Sequence, residues 1–182
     1  RCARVTGVQT CALPILAMQM HSSKKTPEPT VAVGTSSNGF VGKTIQYVGR
    51  SAHAADAPDQ GINALNAAML GIMGINSLRE TFRDEDAIRV HPIITKGGDL
   101  VNNVPDDVRI ETYVRAKTME AIEKTHKKVD AALRAGGMAI GAEVHIDTMP
   151  GHLPLVCNAT LNELLVENAK EAFPSVKIIN AG

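Results

Sequence analysis

The stretch Val108-Arg-Ile-Glu-Thr-Tyr-Val114 alternates strictly between two kinds of side chain. One set consists of Val108, Ile110, Thr112 and Val114, and the other consists of Arg109, Glu111, Tyr113 and, one residue further on, Arg115. Because successive side chains of a strand point to opposite faces, this pattern predicts a β-strand with one face turned to a core and the other to solvent.

Further elements are predicted on both sides of this strand. Strands are predicted at 43–48, 88–95 and 143–148, and helices at 63–79 and 118–137. Pro92 lacks an amide hydrogen, so its strand is expected at a sheet edge. Thr118 is suited to cap the second helix and Gly136-Gly137 to end it. The order strand, helix, strand, strand, helix, strand predicts an α+β, ferredoxin-like βαββαβ fold, in which a four-stranded antiparallel sheet carries two helices on one face.

The two ends of the chain do not fit this domain. Residues 1–15 lack periodicity and resemble a translated sequencing adapter, although a native apolar strand is the alternative. Residues 16–38 begin with an apolar run that predicts a buried strand before a polar loop. Residues 151–182 predict a helix with a capping box at Thr160 and Glu163, then a strand at 176–179 without a partner. We therefore expect a non-native tag at 1–15, a fragment of a second domain at 16–38, the βαββαβ domain at 39–150, and a truncated return to the second domain at 151–182.

Composition excludes several classes of partner. The 19 basic and 19 acidic residues balance, which argues against nucleic acid or an anionic membrane as a partner. No apolar run approaches the roughly 20 residues that cross a bilayer. Cys2, Cys11 and Cys157 do not form the pattern of a disulfide framework, so a cytoplasmic location is expected.

Two loops carry candidate functional residues. In the turn-rich segment 49–61, His53 stands among small residues that leave its imidazole free to donate a hydrogen bond to an oxyanion, although an exposed loop histidine is the plainer interpretation. In the loop at 97–105, Gly98 permits a positive φ and Asn102 offers a donor and an acceptor, but a hairpin turn explains both. Arg115 is able to hold a carboxylate with two hydrogen bonds or simply to pair with Glu111 in solvent.

Two histidines raise the question of a metal. His21 follows an apolar run, a position typical of metal ligands at the carboxyl ends of strands in α/β sheets, although a lone histidine is usually not a ligand. His145 and Asp147 share one face of a predicted strand, and we interpret them as its polar face.

The motifs taken together resemble the lid domain of the aminoacylase/dipeptidase family of co-catalytic zinc amidohydrolases. The series is Gly49-Arg-Ser-Ala-His53-Ala-Ala, Pro58, Gly61-Ile-Asn-Ala-Leu-Asn, Ile93-Ile-Thr-Lys-Gly-Gly98, Asn102-x-x-Pro105 and Val114-Arg115. The similarity covers residues 16–182 and is greatest to bacterial amidohydrolases of the aminobenzoyl-glutamate hydrolase type.

This resemblance implies a metal-dependent, homodimeric hydrolase of an amide bond next to a free carboxylate, in an N-acyl amino acid, a dipeptide or an aminobenzoyl-glutamate-like substrate. His53 would stabilise the oxyanion in the partner subunit's active site, Asn102 and Gly98 would contact the substrate, and Arg115 would hold its carboxylate. His21 would bind one of two divalent metals, zinc or alternatively manganese or cobalt. The second domain would be an α/β catalytic domain whose remaining ligands and glutamate base lie outside this chain, so the fragment alone should be inactive.

Two points stand against a simple assignment. Asn103 occupies a position where relatives usually carry an aliphatic residue, which puts the packing of that loop in question. The competing hypothesis is a non-catalytic βαββαβ module that dimerises or binds a small effector. A free module should end near Pro150, so the predicted helix and strand beyond it favour the hydrolase.

Overall fold

A computed structural model of the protein describes residues 28–180. The strands are β1 (Thr30–Val33), β2 (Gly39–Val48), β3 (Arg89–Val90), β4 (Ile93–Lys96), β5 (Asp107–Ala116), β6 (Glu143–Pro150) and β7 (Lys177–Asn180). The helices are α1 (Ala64–Leu78), α2 (Met119–Ile140) and α3 (Ala159–Ala172). In this part of the chain, no helix is both long and apolar enough to cross a membrane.

The main sheet has the predicted βαββαβ topology. Its order is β3-β5-β2-β6, with β4 also paired to β5, and every pairing is antiparallel. The strand predicted at 88–95 is interrupted at His91-Pro92, which divides it into β3 and β4 along one edge of the sheet. The missing amide hydrogen of Pro92 explains both the interruption and the edge position, so the sheet has five strands rather than the predicted four.

The helices α1 and α2 cover one face of this sheet. Side chains of β5 alternate between buried and exposed as its sequence predicts, and those of β2 that face the helices are buried. The core consists chiefly of Ile45, Tyr47, Val108, Ile110 and Val114 from the sheet, Ala64, Ala67, Ala68 and Ile75 from α1, and Ile122, Val129 and Leu133 from α2. The opposite face of the sheet is polar and open to solvent.

Small residues bring α1 and α2 close together. A Cβ atom at Gly136 would lie 2.9 Å from Gly71 Cα and still nearer to Gly71 N and Ala67 O. The expectation that Gly136-Gly137 ends α2 is therefore wrong, because these glycines allow close packing inside the helix. The helix continues to Ile140 and ends at Gly141, whose φ of 83° is the left-handed conformation typical of a glycine C-cap. Thr118 caps its start, as predicted, by accepting from the amide of Ala121.

The segments outside residues 39–150 form a separate small unit. Strand β7 pairs in parallel with β1, so the prediction that it has no partner is wrong. Its partner was missed because no strand was predicted at residues 30–33. The helix α3 packs against β1, and its N-cap is Asn158, whose side chain accepts from Leu161 N, rather than Thr160.

A buried polar cluster lies between α2 and the sheet. The side chain of Lys43 is fully buried, and its Nζ lies 2.7 Å from Asp130 Oδ1 and donates a 2.7 Å hydrogen bond to Thr148 Oγ1. The same Nζ lies 3.5 Å from His126 Nδ1. Burial lowers the pKa of His126, and the charge of Lys43 lowers this pKa further. The cluster therefore favours a neutral imidazole at this position.

Candidate functional site

Two loops meet beside the amino end of β5 and bring His53 next to Asn102. The amide of Ala54 donates to Asn102 O at 2.9 Å, and the amide of Val104 donates to Ala52 O at 2.9 Å. These bonds flank His53 on both sides, so the backbone at this residue is held like a short strand against the loop at 97–105.

The imidazole of His53 is oriented by its own loop. Its Nδ1 accepts hydrogen bonds from the amides of Ala55 and Asp56, at 3.3 and 3.2 Å. Since two N–H groups are directed at Nδ1, we assign the proton of the neutral ring to Nε2. The side chain is 46% exposed, so Nε2–H is available as a donor. The carboxylate of Asp56 lies 3.4 Å from Nδ1.

The loop at 97–105 is held firmly where it joins the sheet. Lys96 Nζ contacts Asp107 Oδ2 at 3.0 Å, and Gln46 Nε2 donates to Asp107 Oδ1 at 2.7 Å. The hydrogen bond from Gln46, followed by that from Lys96, lowers the pKa of Asp107 to about 2. Further along, Gly98 has a φ of 131°, a conformation that L side chains rarely adopt. Asn103 forms a β-bridge with His53, so its backbone belongs to the site although its type departs from the motif.

Arg115 lies at the other end of β5. Its guanidinium carbon is 5.4 Å from the centroid of the Phe40 ring and 5.3 Å from that of Tyr113, within the range of cation–π contacts. The ring of Phe40 also meets His152 edge-on, at a centroid distance of 4.7 Å. Glu111 forms no ion pair with Arg115 in the part of the chain that the structure describes, although Arg115 is exposed on the sheet face.

The length of β5 sets the distance between the loop of His53 and Arg115. The loop of His53 is attached to the amino end of β5 through the hydrogen bond from Gly49 N to Asp106 O. Arg115 lies eight positions beyond Asp107 along β5, which is about 26 Å of extended chain at about 3.3 Å per residue. The loop of His53 and Arg115 therefore lie at opposite ends of β5.

The remaining candidates do not form a metal site in the described residues. His145 and Asp147 line a shallow cavity of about 320 Å³ on the open sheet face, together with polar residues such as Gln46 and Glu111. Within residues 28–180, no group of three or more His, Cys, Asp or Glu side chains is placed to hold a metal ion. His21 and the tag expected at 1–15 lie outside the described residues.

Two aromatic residues beside Arg115 were missed in the sequence. The chain has only three Phe and two Tyr, and Phe40 and Tyr113 are among them. Their scarcity is a signal that could have directed attention to them, and the alternation of β5 already places Tyr113 on the same face as Arg115. The pairing of Phe40 with Arg115 across β2 and β5 depends on strand register, which no local pattern reveals.

Comparisons with known proteins show the family of this chain. The family described as Peptidase dimerisation domain matches residues 35–139. The Xaa-Arg dipeptidase of Mus musculus is 33% identical over 129 residues, which are 70% of this chain and 30% of that protein. A p-aminobenzoyl-glutamate hydrolase chain of Escherichia coli is 30% identical over 125 residues, 68% of this chain and 24% of that protein. The chain thus spans less than a third of these curated relatives.

Solved structures with the same fold belong to similar proteins. The aminobenzoyl-glutamate utilization protein from Klebsiella pneumoniae superposes with a TM-score of 0.67 at 20% identity, covering 85% of this chain and 41% of that one. The aminopeptidase PepT from Bacillus cereus gives a TM-score of 0.65 at 18% identity, again covering 85% and 41%. At this identity the similarity establishes the fold.

Proposed function

Because the chain belongs to the peptidase dimerisation domain family, we propose that it supplies the dimerisation and substrate contacts of a metal-dependent amidohydrolase. The reaction is hydrolysis of an amide bond next to a free carboxylate, in an N-acyl amino acid, a dipeptide or an aminobenzoyl-glutamate-like substrate. Residues 39–150 form the lid domain. Residues 16–38 and 151–182 belong to the catalytic domain, and the separate parallel pair β1–β7 with α3 supports this division. Free, exposed Cys157 is compatible with a reducing cytoplasm.

The orientation of His53 is the observation that carries this proposal. Two backbone amides occupy Nδ1, which leaves Nε2–H as a fixed donor. A fixed donor costs little reorganisation when negative charge develops on the carbonyl oxygen of an amide under attack. Asn102, whose backbone holds the His53 loop, contacts the substrate from the same side, and the left-handed Gly98 lets the loop backbone approach it.

Arg115 binds the substrate carboxylate, and it does so in a different active site from His53 of its own chain. Its guanidinium is set against two rings but has no hydrogen-bond acceptor among the described residues, so its N–H groups remain available for a carboxylate. The separation of about 26 Å along β5, between the end near the His53 loop and Arg115, supports this assignment to two different active sites. In a symmetric dimer, each active site therefore combines Arg115 of one protomer with His53 and Asn102 of the other.

The homodimer forms through the outer face of α1 and the edge strand β4. On α1, Met69, Leu70 and Met73 are 51%, 38% and 61% exposed, whereas on β4 Ile93 and Ile94 are 57% and 43% exposed. Adjacent exposed apolar side chains are typical of an interface. The outer edge of β4 has no strand partner within residues 28–180, and an edge of this kind is able to pair with a second copy.

This surface borders the loop of His53. Asn63, the N-cap of α1, directly follows Ile62, which exchanges two backbone hydrogen bonds with Arg50. A Cβ atom at Gly97 would lie 3.8 Å from Ile94 Cγ2 and 4.0 Å from Leu65 Cδ1, so the first turn of α1 lies near Ile94 of β4. A partner bound to this surface is therefore close to His53, as a role of His53 in the other protomer requires.

The metals belong to the catalytic domain. Two divalent ions, zinc or alternatively manganese or cobalt, would supply an activated water when bound. The lid domain has no side-chain group to hold them among the residues that the structure describes, so its contribution is to bind and orient the substrate. His21 stays the one proposed ligand from this chain, and the fragment alone is expected to be inactive.

Replacing His53 in the complete protein tests the catalytic role. His53→Ala should lower kcat for an N-acyl amino acid about 100- to 1000-fold, as loss of one oxyanion donor does, with little change in KM. His145→Ala is the matched control, since His145 is 54% exposed and lies outside the proposed site. An unchanged kcat in His53→Ala would contradict the oxyanion role of His53, and no hydrolysis by the wild-type protein would favour the non-catalytic module.

A charge placed on α1 tests the interface. Met69→Lys should dissociate the dimer in sedimentation equilibrium, because a lysine ammonium is costly to desolvate in an apolar contact. Met138→Lys, at an 83% exposed position on α2, should leave the dimer intact. Loss of the dimer in both variants, or in neither, would contradict the assignment of this surface.

A further inference from the structure

Two arginines stand directly opposite each other on neighbouring strands. Arg89 of β3 is the register partner of Arg115 of β5. Both are exposed, whereas the next pair, Val90 and Val114, is buried, so both arginines lie on the open face of the sheet. In antiparallel pairs the Cβ atoms are about 4.5–5.5 Å apart, and like charges placed there are destabilising. The pair therefore costs stability in the absence of an anion.

No carboxylate neutralises this pair within residues 28–180. Arg89 donates only to the carbonyl of Ile88, through Nη1, and Arg115 contacts only aromatic rings. Of the acidic side chains close in sequence to the pair, Glu85 pairs with Arg83 and Glu120 with Lys124, and Asp84 forms no ion pair with either arginine within the described residues. Both guanidiniums thus keep N–H groups available for an external anion.

A cavity of about 490 Å³ opens beside Arg89 at the edge of the sheet. It is lined by Arg79, Phe82, Arg83, Asp84, Ile88 and Arg89. The lining carries three guanidiniums against one carboxylate, so its charge is positive overall. Arg79 is held in place by a 2.7 Å hydrogen bond from its Nη2 to Val90 O. The cavity gives an anionic group a place to bind beside Arg89.

We infer that Arg89 is a specificity-determining residue, and that the acid end of the substrate is a dicarboxylic amino acid. This inference rests on the proposed function, in which Arg115 binds the carboxylate next to the scissile amide. Arg89 then binds the side-chain carboxylate. Two guanidiniums on separate strands suit two carboxylates joined by a short carbon chain better than one compact anion such as phosphate. A basic side chain at this position would meet uncompensated positive charge and be rejected.

Titration of the ¹⁵N-labelled chain with small ligands tests the inference. The probes are N-acetylglutamate, its neutral analogue N-acetylglutamine, N-acetyllysine and inorganic phosphate, followed through the Nε–H signals of Arg89 and Arg115. N-acetylglutamate should shift both signals and bind about fivefold more tightly than N-acetylglutamine, the size expected for an exposed ion pair. N-acetyllysine should bind more weakly than either.

Variants separate this inference from the proposed function. Arg89→Gln should remove the preference for N-acetylglutamate and leave the affinity for N-acetylglutamine unchanged, whereas Arg134→Gln, a control at an exposed arginine of α2, should keep the preference. Equal affinities in the wild type, tighter binding of phosphate, no saturable shift, or a preference that survives Arg89→Gln would each overturn the inference. If Arg115→Gln leaves N-acetylglutamine binding unaltered, the carboxylate role in the proposed function fails instead.

Discussion

The contact between α1 and α2 at Gly136 offers a sharp test of how the domain is held together. In Gly136→Ala the new Cβ would lie 2.9 Å from Gly71 Cα and closer still to Gly71 N and Ala67 O. These are backbone atoms of α1, which cannot rotate away as a side chain can. Relief of the overlap therefore requires α1 itself to move away from α2.

The expected loss of stability follows from two opposed effects. An alanine in a helix interior is favoured over glycine by about 1 kcal/mol. Overpacking a core costs about 1–3 kcal/mol, and the upper value applies here because the neighbours are backbone atoms. We expect a net destabilisation of about 2 kcal/mol, which corresponds to a fall in melting temperature of about 4–8 °C for a chain of this size.

Thermal unfolding followed by far-UV circular dichroism measures this loss. Gly74→Ala is the matched control, since its nearest contacts would be Ala132 Cβ at 3.1 Å and Ala132 Cα and O at 3.5 Å, none of them below 3 Å. The helix propensity gained should offset these contacts to within about 0.5 kcal/mol. The reasoning is refuted if Gly136→Ala unfolds at or above the wild-type temperature. Because the outer face of α1 is the proposed interface, the variant should also weaken the dimer.

Two further predictions concern pH. The pKa of His126 is lowered from its ordinary value of 6.5, first by burial and then by the charge of Lys43, so the folded state favours the neutral imidazole. The melting temperature should therefore fall as the pH drops below about 6.5. His126→Gln should flatten this dependence of the melting temperature on pH. A melting curve that is flat over this range in the wild type would contradict it. The pKa of Asp107 is lowered from 3.8 to about 2. The wild type should therefore have a higher melting temperature than Asp107→Asn above about pH 4, and this difference should disappear as the pH falls towards 2. If the difference in melting temperature persists near pH 2, the contribution of Asp107 to stability is not ionic.

The sequence predicted the fold where local patterns coincide with burial. The alternation in β5 is unambiguous because one face is covered and the other is open. Periodicity was less informative in α1, where Met69 follows the helical spacing of Ile72 and Ile75 yet is 51% exposed. The sequence pattern of an apolar helix face is the same whether that face packs against the core of its own chain or against a second copy. Gly136 shows the same limit, because only the position of α1 distinguishes a packing glycine from a helix end.

The candidate site was predictable in part for the same reason. Motifs in two loops indicated His53 and Asn102, and the structure brings these loops together. Arg115 is close to Asn102 in sequence, but the length of β5 carries it to the opposite end of the sheet. The contacts of Arg115 with Phe40 and Arg89 depend on strand register. Register is a property of the whole sheet, so neither contact is visible in a linear motif.

Mixed dimers of the complete protein test the central claim most directly. One protomer carries His53→Ala and the other Arg115→Ala, each with a different affinity tag so that the heterodimer can be isolated. If His53 and Arg115 of different protomers serve one active site, the heterodimer has one intact site and one that lacks both groups. Its kcat per dimer should then be about half that of the wild type, although each parent homodimer is nearly inactive. A heterodimer no more active than its parents would contradict the account, because it would place both groups of one chain in the same site.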